Sequence, residues 1–180
     1  MPPIMISTAR LHLRQLDLAD LDALYAIWSD PQVMASYPAP YTYPQVQRLH
    51  KERCLDSYAT HGWGLWGVVQ RDTGTMIGDC GLLLQHVAGQ PLIEIGYHLL
   101  PAYWGHGYAR EAAAACRDYA LDGVRAAQVI SLVHPANLRS RRVAERIHQT
   151  MQMCWWERIQ QEVCLYSTQR ADGHAPVGSP

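Results

Sequence analysis

Residues 94–111 read EIGYHLLPAYWGHGYARE, and we interpret the rest of the chain as organised around this segment. Apolar residues alternate over positions 93–99 and predict a strand, and Pro101 then predicts a turn. Gly105 and Gly107 allow a sharp turn and a close backbone approach to a ligand, and an alanine-rich run after them predicts a helix. Strand, glycine loop and helix start together predict an anion site made of backbone N–H groups and a helix dipole. An ordinary strand-to-helix turn has the same Gly-x-Gly spacing and remains the alternative.

Length and composition describe one globular domain. The chain has 180 residues, of which 48% are hydrophobic and 17% charged, enough for a full core. We expect residues 1–170 to form this domain and residues 171–180, which are small and polar, to form a disordered tail. A net charge of -1 gives no reason to expect nucleic acid or an acidic membrane as a partner. Without a membrane-spanning run or a secretion signal at the start, the expected location is the cytoplasm.

Cysteine and histidine patterns argue against disulfides and metal sites. The five cysteines are scattered and form no CxxC pair, so we expect reduced and mostly packed thiols. The nine histidines form no HxxxH pair of the kind that a helical zinc site uses. We therefore expect no metal.

Hydrophobic periodicity divides the chain into an α+β arrangement of about seven strands and about four helices. The predicted strands cover residues 9–15, 63–70, 75–85, 92–100, 126–133, 154–159 and 162–168. The predicted helices start at Asp17, run from about Pro44 to Thr60, run from Gly107 to Leu121 with Gly123 just beyond the end, and start at Asn137 with an apolar side that includes Leu138 and Met151. The third helix is a crossover, so the strands on either side of it should be parallel neighbours in a mostly antiparallel sheet.

Three arginines lie in the first turns of the helix that starts at Asn137. Arg139, Arg141 and Arg142 are placed where the helix dipole disfavours cations, and a bound anion would relieve this. A solvated basic patch is the alternative. Together with the glycine loop, this second helix start suggests a ligand that carries several phosphates.

The same stretches resemble the GCN5-related N-acetyltransferases (GNAT), and within them the branch that includes ribosomal-protein N-terminal acetyltransferases. The coenzyme A loop of that family has the form Gln/Arg-x-x-Gly-x-Gly/Ala, and Trp104, Gly107 and Ala109 occupy its three named positions. Trp104 departs from the usual residue. VHPANLRSRRVAERI, residues 133–147, resembles the segment that follows in this branch, and the resemblance extends from about Thr8 to Thr168.

The resemblance implies a single GNAT-like domain with a splayed parallel strand pair, and acetyl transfer from acetyl-CoA to an amine. The loop would hold the pyrophosphate, the strand edge would pair with the pantetheine arm, and the arginine-rich helix start would face the coenzyme. The candidate coenzyme-binding residues are Tyr97, His98, Leu99, Trp104, Gly105, His106, Gly107, Tyr108, Ala109, Asn137, Ser140 and Arg142.

Acetyl transfer needs a neutral amine, and Glu94 is the candidate base. An α-amino group near pKa 8 lies about 1 kcal/mol from its neutral form at pH 7, whereas a lysine near 10.4 lies roughly 4 to 5 kcal/mol away. Burial in an apolar strand would raise the pKa of Glu94, and a water molecule could relay the proton. The alternative roles are a partner for a core arginine and an edge residue that faces solvent.

The departing thiolate needs a donor, and the candidate is Ser140. Many family members have a tyrosine seven residues after the asparagine, where this chain has Ala144. Ser140 would then be the acid; its alternatives are a helix-capping residue and a coenzyme contact. His148 replaces the usual glycine of the branch, which leaves the geometry after the last helix open.

Further candidates line the predicted cleft. His98, His106 and His134 could act as bases or line the acceptor site, but a lone histidine in a strand or loop is more often structural, so we rank all three below Glu94. Four aromatic residues would shape the acceptor pocket, although a core position is the better interpretation for the two tryptophans: Tyr37, Tyr41, Trp63 and Trp66.

Two alternative functions differ from acetyl transfer. The HGWG run at residues 61–64 suggests an oxyanion loop, but the chain has no GxSxG elbow, so a serine hydrolase is excluded. A coenzyme A sensor without turnover is the other alternative. A peptide N-terminus, a lysine, a polyamine and an antibiotic amine all remain possible acceptors, and the chain is expected to be a monomer or a homodimer.

Overall fold

One eight-stranded mixed sheet forms the centre of the computed structural model, which describes residues 2–171. The strand order is β1-β2-β3-β4-β5-β6-β8-β7, so the crossover helix and the last hairpin both reach the far half of the sheet. The strands are β1 (Ile4–Ser7), β2 (Leu11–Arg14), β3 (Leu65–Gln70), β4 (Met76–Val87), β5 (Gln90–Leu99), β6 (Gln128–Val133), β7 (Thr150–Trp156) and β8 (Gln161–Gln169). The predicted tail lies outside the described residues, except for residue 171.

The helices form four continuous segments, as the sequence predicts. They are α1 (Leu21–Trp28), α2 (Tyr43–His50) with α3 (Asp56–His61), α4 (Tyr108–Asp118) and α5 (Leu138–Ile147). A π-helical turn over Lys51–Leu55 joins α2 to α3, and a second one over Tyr119–Gly123 extends α4.

Within residues 2–171, all strand pairs are antiparallel except β5 with β6. Helix α4 connects these two strands, because a parallel pair needs a crossover. On one face of the sheet, a core that includes Leu11, Trp66 and Ile95 packs against α4. On the other face, a second core around Leu24 and Trp28 packs against α1, α2 and α3. The predicted mixed fold with a single parallel pair is confirmed.

Several local predictions were wrong. The chain has an additional strand, β1, which pairs with β2 at the edge of the sheet and carries no strong periodicity of its own. Helix α5 ends at Ile147, so Met151 belongs to β7 and is 48% exposed. Leu138, also predicted on the apolar side of α5, is 58% exposed because it is the first residue of the helix.

The expected end of the crossover helix also differs in detail. Gly123 closes the second π-helical turn and does not have a positive φ, whereas Arg125, two residues later, has φ 64°. A left-handed residue does end this segment, but the side chain there is an arginine.

Candidate active site

The loop between β5 and α4 has the shape of an anion cradle. Gly105 and Gly107 both have φ 80°, a left-handed conformation that costs little only for glycine. Gly107 is the N-cap of α4 and supplies no side chain to cap it. A Cβ added at Gly105 would meet no atom within 4 Å. The first N–H groups of the helix therefore face an open approach without a competing side-chain acceptor.

Trp104 supports this loop from below. Its indole N–H donates to the carbonyl of Leu99 at 2.7 Å, and the guanidinium of Arg139 lies 4.3 Å from the centre of its ring. Such stacking is a favourable cation–π arrangement. Trp104 thus links the glycine loop to the start of α5 and replaces the polar residue that the family loop usually has.

Arg10, from the turn between β1 and β2, holds the loop on its other side. Its guanidinium donates to the carbonyl of His106 at 3.0 Å and forms an ion pair with Glu111 at 2.7 Å. Thr8 donates to the same carboxylate at 2.6 Å, and these contacts lower the pKa of Glu111 although burial opposes them. Sequence reasoning missed Arg10, because nothing in a single sequence connects that turn to α4.

Strands β5 and β6 separate next to the loop. They pair only at Ile93 with Val129 and at Glu94 with Ile130, although β5 continues to Leu99. Beyond these pairs, β5 hydrogen-bonds to β4 on one side, and no strand among the described residues pairs with it on the other. A wedge-shaped opening therefore begins at Glu94 and leads towards the glycine loop.

The Glu94 carboxylate lies at the point of this wedge and is 8% exposed. One of its oxygens accepts from the side-chain amide of Gln85 at 2.7 Å, and the other accepts from the backbone N–H of Leu132 at 3.3 Å. Burial raises the pKa of Glu94, and these hydrogen bonds oppose the rise. No arginine within residues 2–171 forms an ion pair with it, since Arg158 donates to Gln85 instead. A carboxylate in this setting is suited to accept a proton.

A hydroxyl pair spans the opening from β5 to α5. Ser140 donates to the hydroxyl of Tyr97 at 2.9 Å, and Tyr97 donates to the backbone carbonyl of Ser140 at 2.9 Å. Burial raises the pKa of Tyr97, so the phenol stays protonated. Asn137 is the N-cap of α5 and accepts from the backbone N–H of Ser140 at 3.1 Å. The structure therefore brings Tyr97 and Ser140 into contact beside the opening that begins at Glu94.

The family follows from a comparison with known proteins. Residues 10–150 match the model of the acetyltransferase (GNAT) domain, and this span includes the glycine loop, the wedge and α5. The chain belongs to the GNAT acetyltransferase family.

Individual proteins are similar to most of this chain. Protein YkkB of Bacillus subtilis (strain 168) is 34% identical over 143 residues, which cover 78% of this chain and 81% of YkkB. N-acetyltransferase p20 of Bacillus licheniformis is 30% identical over 74% of this chain and 75% of its own length. The solved acetyltransferase of Agrobacterium tumefaciens str. C58 has TM-score 0.81 and 29% identity, and the match covers 93% of this chain and 94% of that chain. The chain is an N-acetyltransferase, and its family membership implies transfer of an acetyl group to an amine.

The arginines of this GNAT domain have separate partners. Arg139 stacks on Trp104, while Arg141 donates to the hydroxyl of Tyr166 at 3.2 Å and lies 3.7 Å from Glu145. Arg142 is exposed, and no ion pair involves it in the part of the chain that the structure describes. Of the three, Arg142 is the most accessible to a phosphate group.

The remaining candidates divide between core and cleft. Trp63 and Trp66 are 8% and 0% exposed, which confirms their predicted core positions. His106 donates to the carbonyl of Trp104 at 2.8 Å and stabilises the loop. His134 accepts from the backbone N–H of Ala136 at 3.2 Å in the turn before α5.

His98 differs from its neighbours on β5. Tyr97 and Leu99 point into the core under α4, while the His98 ring lies on the opposite face beside Trp28 of α1, with 6.1 Å between ring centres. Only the backbone of His98 shares the strand edge with these neighbours. Its ring lies 5.8 Å from the ring of Tyr37, a contact that sequence reasoning did not anticipate.

His148, in the position of the family glycine, connects α5 to the sheet. Its ring nitrogens lie 3.1 Å from the hydroxyls of Ser131 and Thr168, and Ser131 donates to the carbonyl of Ile95 at 3.0 Å. Burial, with a smaller effect of Arg117, lowers the pKa of His148 to about 4. This buried polar contact defines the geometry after the last helix, which the sequence left open.

Metal and membrane features can be assessed for the described residues only. Within residues 2–171, no three His, Cys, Asp or Glu side chains are close enough to bind a metal ion together. None of the helices in this range combines the length and apolar character needed to cross a bilayer.

Proposed function

We propose that this N-acetyltransferase uses acetyl-CoA to acetylate a primary amine, either a peptide N-terminus or a small amine, by direct attack on the thioester. The observation that carries the proposal is the wedge between β5 and β6, with a glycine loop at its open end and a buried carboxylate at its point. The open approach at Gly105 and the uncapped start of α4 fit a pyrophosphate.

The coenzyme would lie along the open edge of β5. In this proposal the N–H groups of the loop over residues 104–109 bind the pyrophosphate, and the backbone of residues 97–99 pairs with the pantetheine arm, since that edge lacks a strand partner. Asn137, Ser140 and Arg142 face the coenzyme from the start of α5, with Arg142 available for a phosphate.

Glu94 would accept the proton of the amine through a water molecule. The amine nitrogen forms a bond to the carbonyl carbon, the carbon–sulfur bond breaks, and the proton passes to the carboxylate. Because its pKa is raised, Glu94 is a stronger base than an ordinary glutamate.

Ser140 would act as the hydrogen-bond donor for the departing thiolate. Its hydroxyl donates to Tyr97 in the structure, so it must exchange that hydrogen bond for one to the sulfur. Tyr97 would then keep the backbone of Ser140 in place through its bond to the carbonyl.

The class of amine that accepts the acetyl group is proposed from the sequence motifs and the fold. Placement in the ribosomal-protein branch is supported by the sequence motifs and by the fold of the ribosomal L7/L12 alpha-N-protein acetyltransferase RimL, which has TM-score 0.75 and 16% identity over 94% of this chain and 95% of that chain. That identity supports the fold alone, so a small amine remains an equal acceptor in this proposal. The five free cysteines agree with a proposed location in the reducing cytoplasm.

The deciding experiment compares the wild type with Glu94→Gln on a panel of peptides and small amines, with acetyl-CoA as donor and mass spectrometry as readout. We expect the wild type to acetylate at least one amine and Glu94→Gln to lower kcat about 10²- to 10⁴-fold, as for loss of a general base. The wild-type rate should fall as the pH drops through the raised pKa of Glu94, because the protonated carboxyl cannot accept a proton.

Glu145→Gln is the matched control, since Glu145 is an exposed glutamate on α5. It should leave kcat unchanged. Full activity of Glu94→Gln across the pH range would contradict the assignment of the base, and a wild type that binds acetyl-CoA but acetylates no amine would contradict the proposed function.

A further inference from the structure

A buried carboxylate on β4 organises a chain of side chains that acetyl transfer, as proposed above, does not use. Asp79 is fully buried and lies directly opposite His98 in the antiparallel ladder of β4 and β5. One of its oxygens lies 3.0 Å from Nδ1 of His98, and the other accepts from the indole N–H of Trp28 at 2.8 Å. The second ring nitrogen of His98 lies 2.9 Å from the hydroxyl of Tyr37. We call Asp79, His98 and Tyr37 the acceptor chain.

When Asp79 is ionised and the His98 ring is neutral, hydrogen-bond chemistry sets the direction of each proton in the acceptor chain. An indole N–H can only donate, and an ionised carboxylate can only accept, so Nδ1 of His98 carries a proton and donates it to Asp79. In a neutral imidazole, Nε2 is then a bare acceptor. The hydroxyl of Tyr37 must therefore donate to Nε2, and the lone pairs of the phenol oxygen remain free for another partner.

That oxygen lies on the face of the sheet opposite to the core under α4. Tyr37 belongs to the aromatic connection between α1 and α2 and is 38% exposed. It lies on the face of β5 that carries Glu94 and His98, with its hydroxyl 2.9 Å from Nε2 of His98. Gly96, between Glu94 and His98 on this face, has no side chain to separate them.

We propose that Tyr37 determines specificity for the acceptor, because its oxygen accepts a hydrogen bond from the N–H of a primary amine. Asp79 and His98 are positioning residues that keep Tyr37 an acceptor and not a donor. This inference rests on the proposed function and adds the group that recognises the amine. Glu94 takes the proton that the amine loses, and Tyr37 orients the N–H that the amine keeps.

Two substitutions test the direction of the chain without removing the same atoms. Tyr37→Phe deletes the acceptor oxygen. Asp79→Asn leaves the phenol in place but reverses the chain, because its amide oxygen must still accept from Trp28 and its NH₂ group then faces Nδ1 of His98. The imidazole proton moves to Nε2, which donates to Tyr37, and the phenol hydrogen turns towards the amine.

We would use a tripeptide that starts with alanine and spermidine as the amine probes, and measure kcat, the KM for the probe and the KM for acetyl-CoA. Both variants should raise the KM of the acetylated probe about 10- to 100-fold, the loss expected for a hydrogen bond to a polar N–H group. We expect kcat and the KM for acetyl-CoA to change less than about threefold, because neither residue touches the thioester. The double variant should be no worse than Tyr37→Phe alone, since both changes remove one interaction.

Tyr25→Phe is the control. Tyr25 lies on α1, its ring packs edge-on against the ring of Tyr43 with 5.1 Å between centres, and its hydroxyl forms no hydrogen bond to another described residue. It should leave all three kinetic constants unchanged. Thermal melts would show whether any variant is merely unfolded.

An NMR measurement reads the tautomer directly and needs no acceptor. With ¹⁵N-labelled imidazoles, at a pH where the ring is neutral, His98 should carry its proton on Nδ1 in the wild type and on Nε2 in Asp79→Asn. A wild-type proton on Nε2 would overturn the inference, and so would a Tyr37→Phe effect on kcat or acetyl-CoA with an unchanged probe KM. Failure of the proposed function looks different, because the wild type would then acetylate neither probe nor any amine of the panel.

Discussion

The two sides of the wedge use different chemical groups, backbone N–H groups on one side and side chains on the other. On the proposed coenzyme side, residues 104–109 offer backbone N–H groups, and two left-handed glycines shape the loop. The proposed acceptor side consists of side chains from α1, a loop and two strands, each with a defined partner: Trp28, Tyr37, Asp79 and His98. A backbone site depends on a few adjacent residues, whereas a side-chain site depends on the register and packing of distant elements. Substitutions that change the backbone conformation should therefore impair binding on the coenzyme side. On the acceptor side, substitutions that change hydrogen bonds should have this effect.

Among the variants that test this comparison, Gly105→Val should have the largest effect, which is on the Kd for coenzyme A. The valine must adopt φ 80° or distort the loop, and it places a branched side chain beside the proposed pyrophosphate. We expect the Kd for coenzyme A to rise about 100-fold, which is about 2.7 kcal/mol. Isothermal titration calorimetry would measure it.

Gly89→Val is the matched control for backbone strain. Gly89, in the turn between β4 and β5, has φ 75° and, like Gly105, no neighbouring atom within 4 Å of an added Cβ. Both variants should lose about 1 to 3 kcal/mol of stability, but only Gly105→Val should weaken coenzyme binding. Equal binding losses in the two variants would mean that strain, and not the loop, explains the effect.

A second prediction concerns His148, which ties α5 to the sheet behind the wedge. Its folded pKa of about 4 lies below an unfolded value near 6.5, so the unfolded chain binds the proton first as the pH falls. Its contribution to stability is full above about pH 6.5 and is lost as the pH drops towards 4, by on the order of 1 to 3 kcal/mol. Urea unfolding of the wild type and His148→Gln at pH 7.5, 6, 5 and 4 would measure this loss.

Because glutamine does not titrate in this range, the difference in free energy of unfolding between the two proteins should narrow as the pH falls. A constant difference would show that His148 does not titrate differently in the folded and unfolded chains. This test therefore measures the stability of the fold and not the binding of coenzyme A or of the amine.

The smallest expected effect comes from Arg142→Ala on the coenzyme side. An exposed arginine near a phosphate contributes little, so the Kd for coenzyme A should rise about threefold at low salt and hardly change at 1 M salt. Arg48→Ala, which changes an exposed arginine on α2 paired with Glu52, is the control and should leave the Kd unchanged. An equal rise in Kd in both variants would show that Arg142 contributes only general positive charge and not a specific phosphate contact.

The sequence predicted the coenzyme side better than the acceptor side for a physical reason. Glycine spacing, strand alternation and helix starts are local, and they placed Gly105, Gly107 and Asn137 correctly at the ends of their elements. The opposition of Asp79 and His98 is not local, but one signal would have found it. Ala88 and Gly89 form a two-residue turn with positive φ, and counting outwards from Val87 and Gln90 places Asp79 opposite His98.

Other features had no such signal. The contact between Tyr37 and His98 depends on how an irregular loop folds over the sheet, and the contact between Arg10 and His106 depends on an edge turn reaching α4. Strand β1 has only four residues, too few for alternation to distinguish it from a loop.

The π-helical turn between α2 and α3 affects how related sequences align with this chain. Each such turn contains one residue more than an α-helical turn would, and it rotates everything that follows by about 100°. That rotation sets where Tyr58 of α3 points, and Tyr58 donates to the carbonyl of Leu65 at the start of β3. A relative that lacks the extra residue would therefore show a one-residue gap inside a helix, and it would have to hold β3 in place by a different contact.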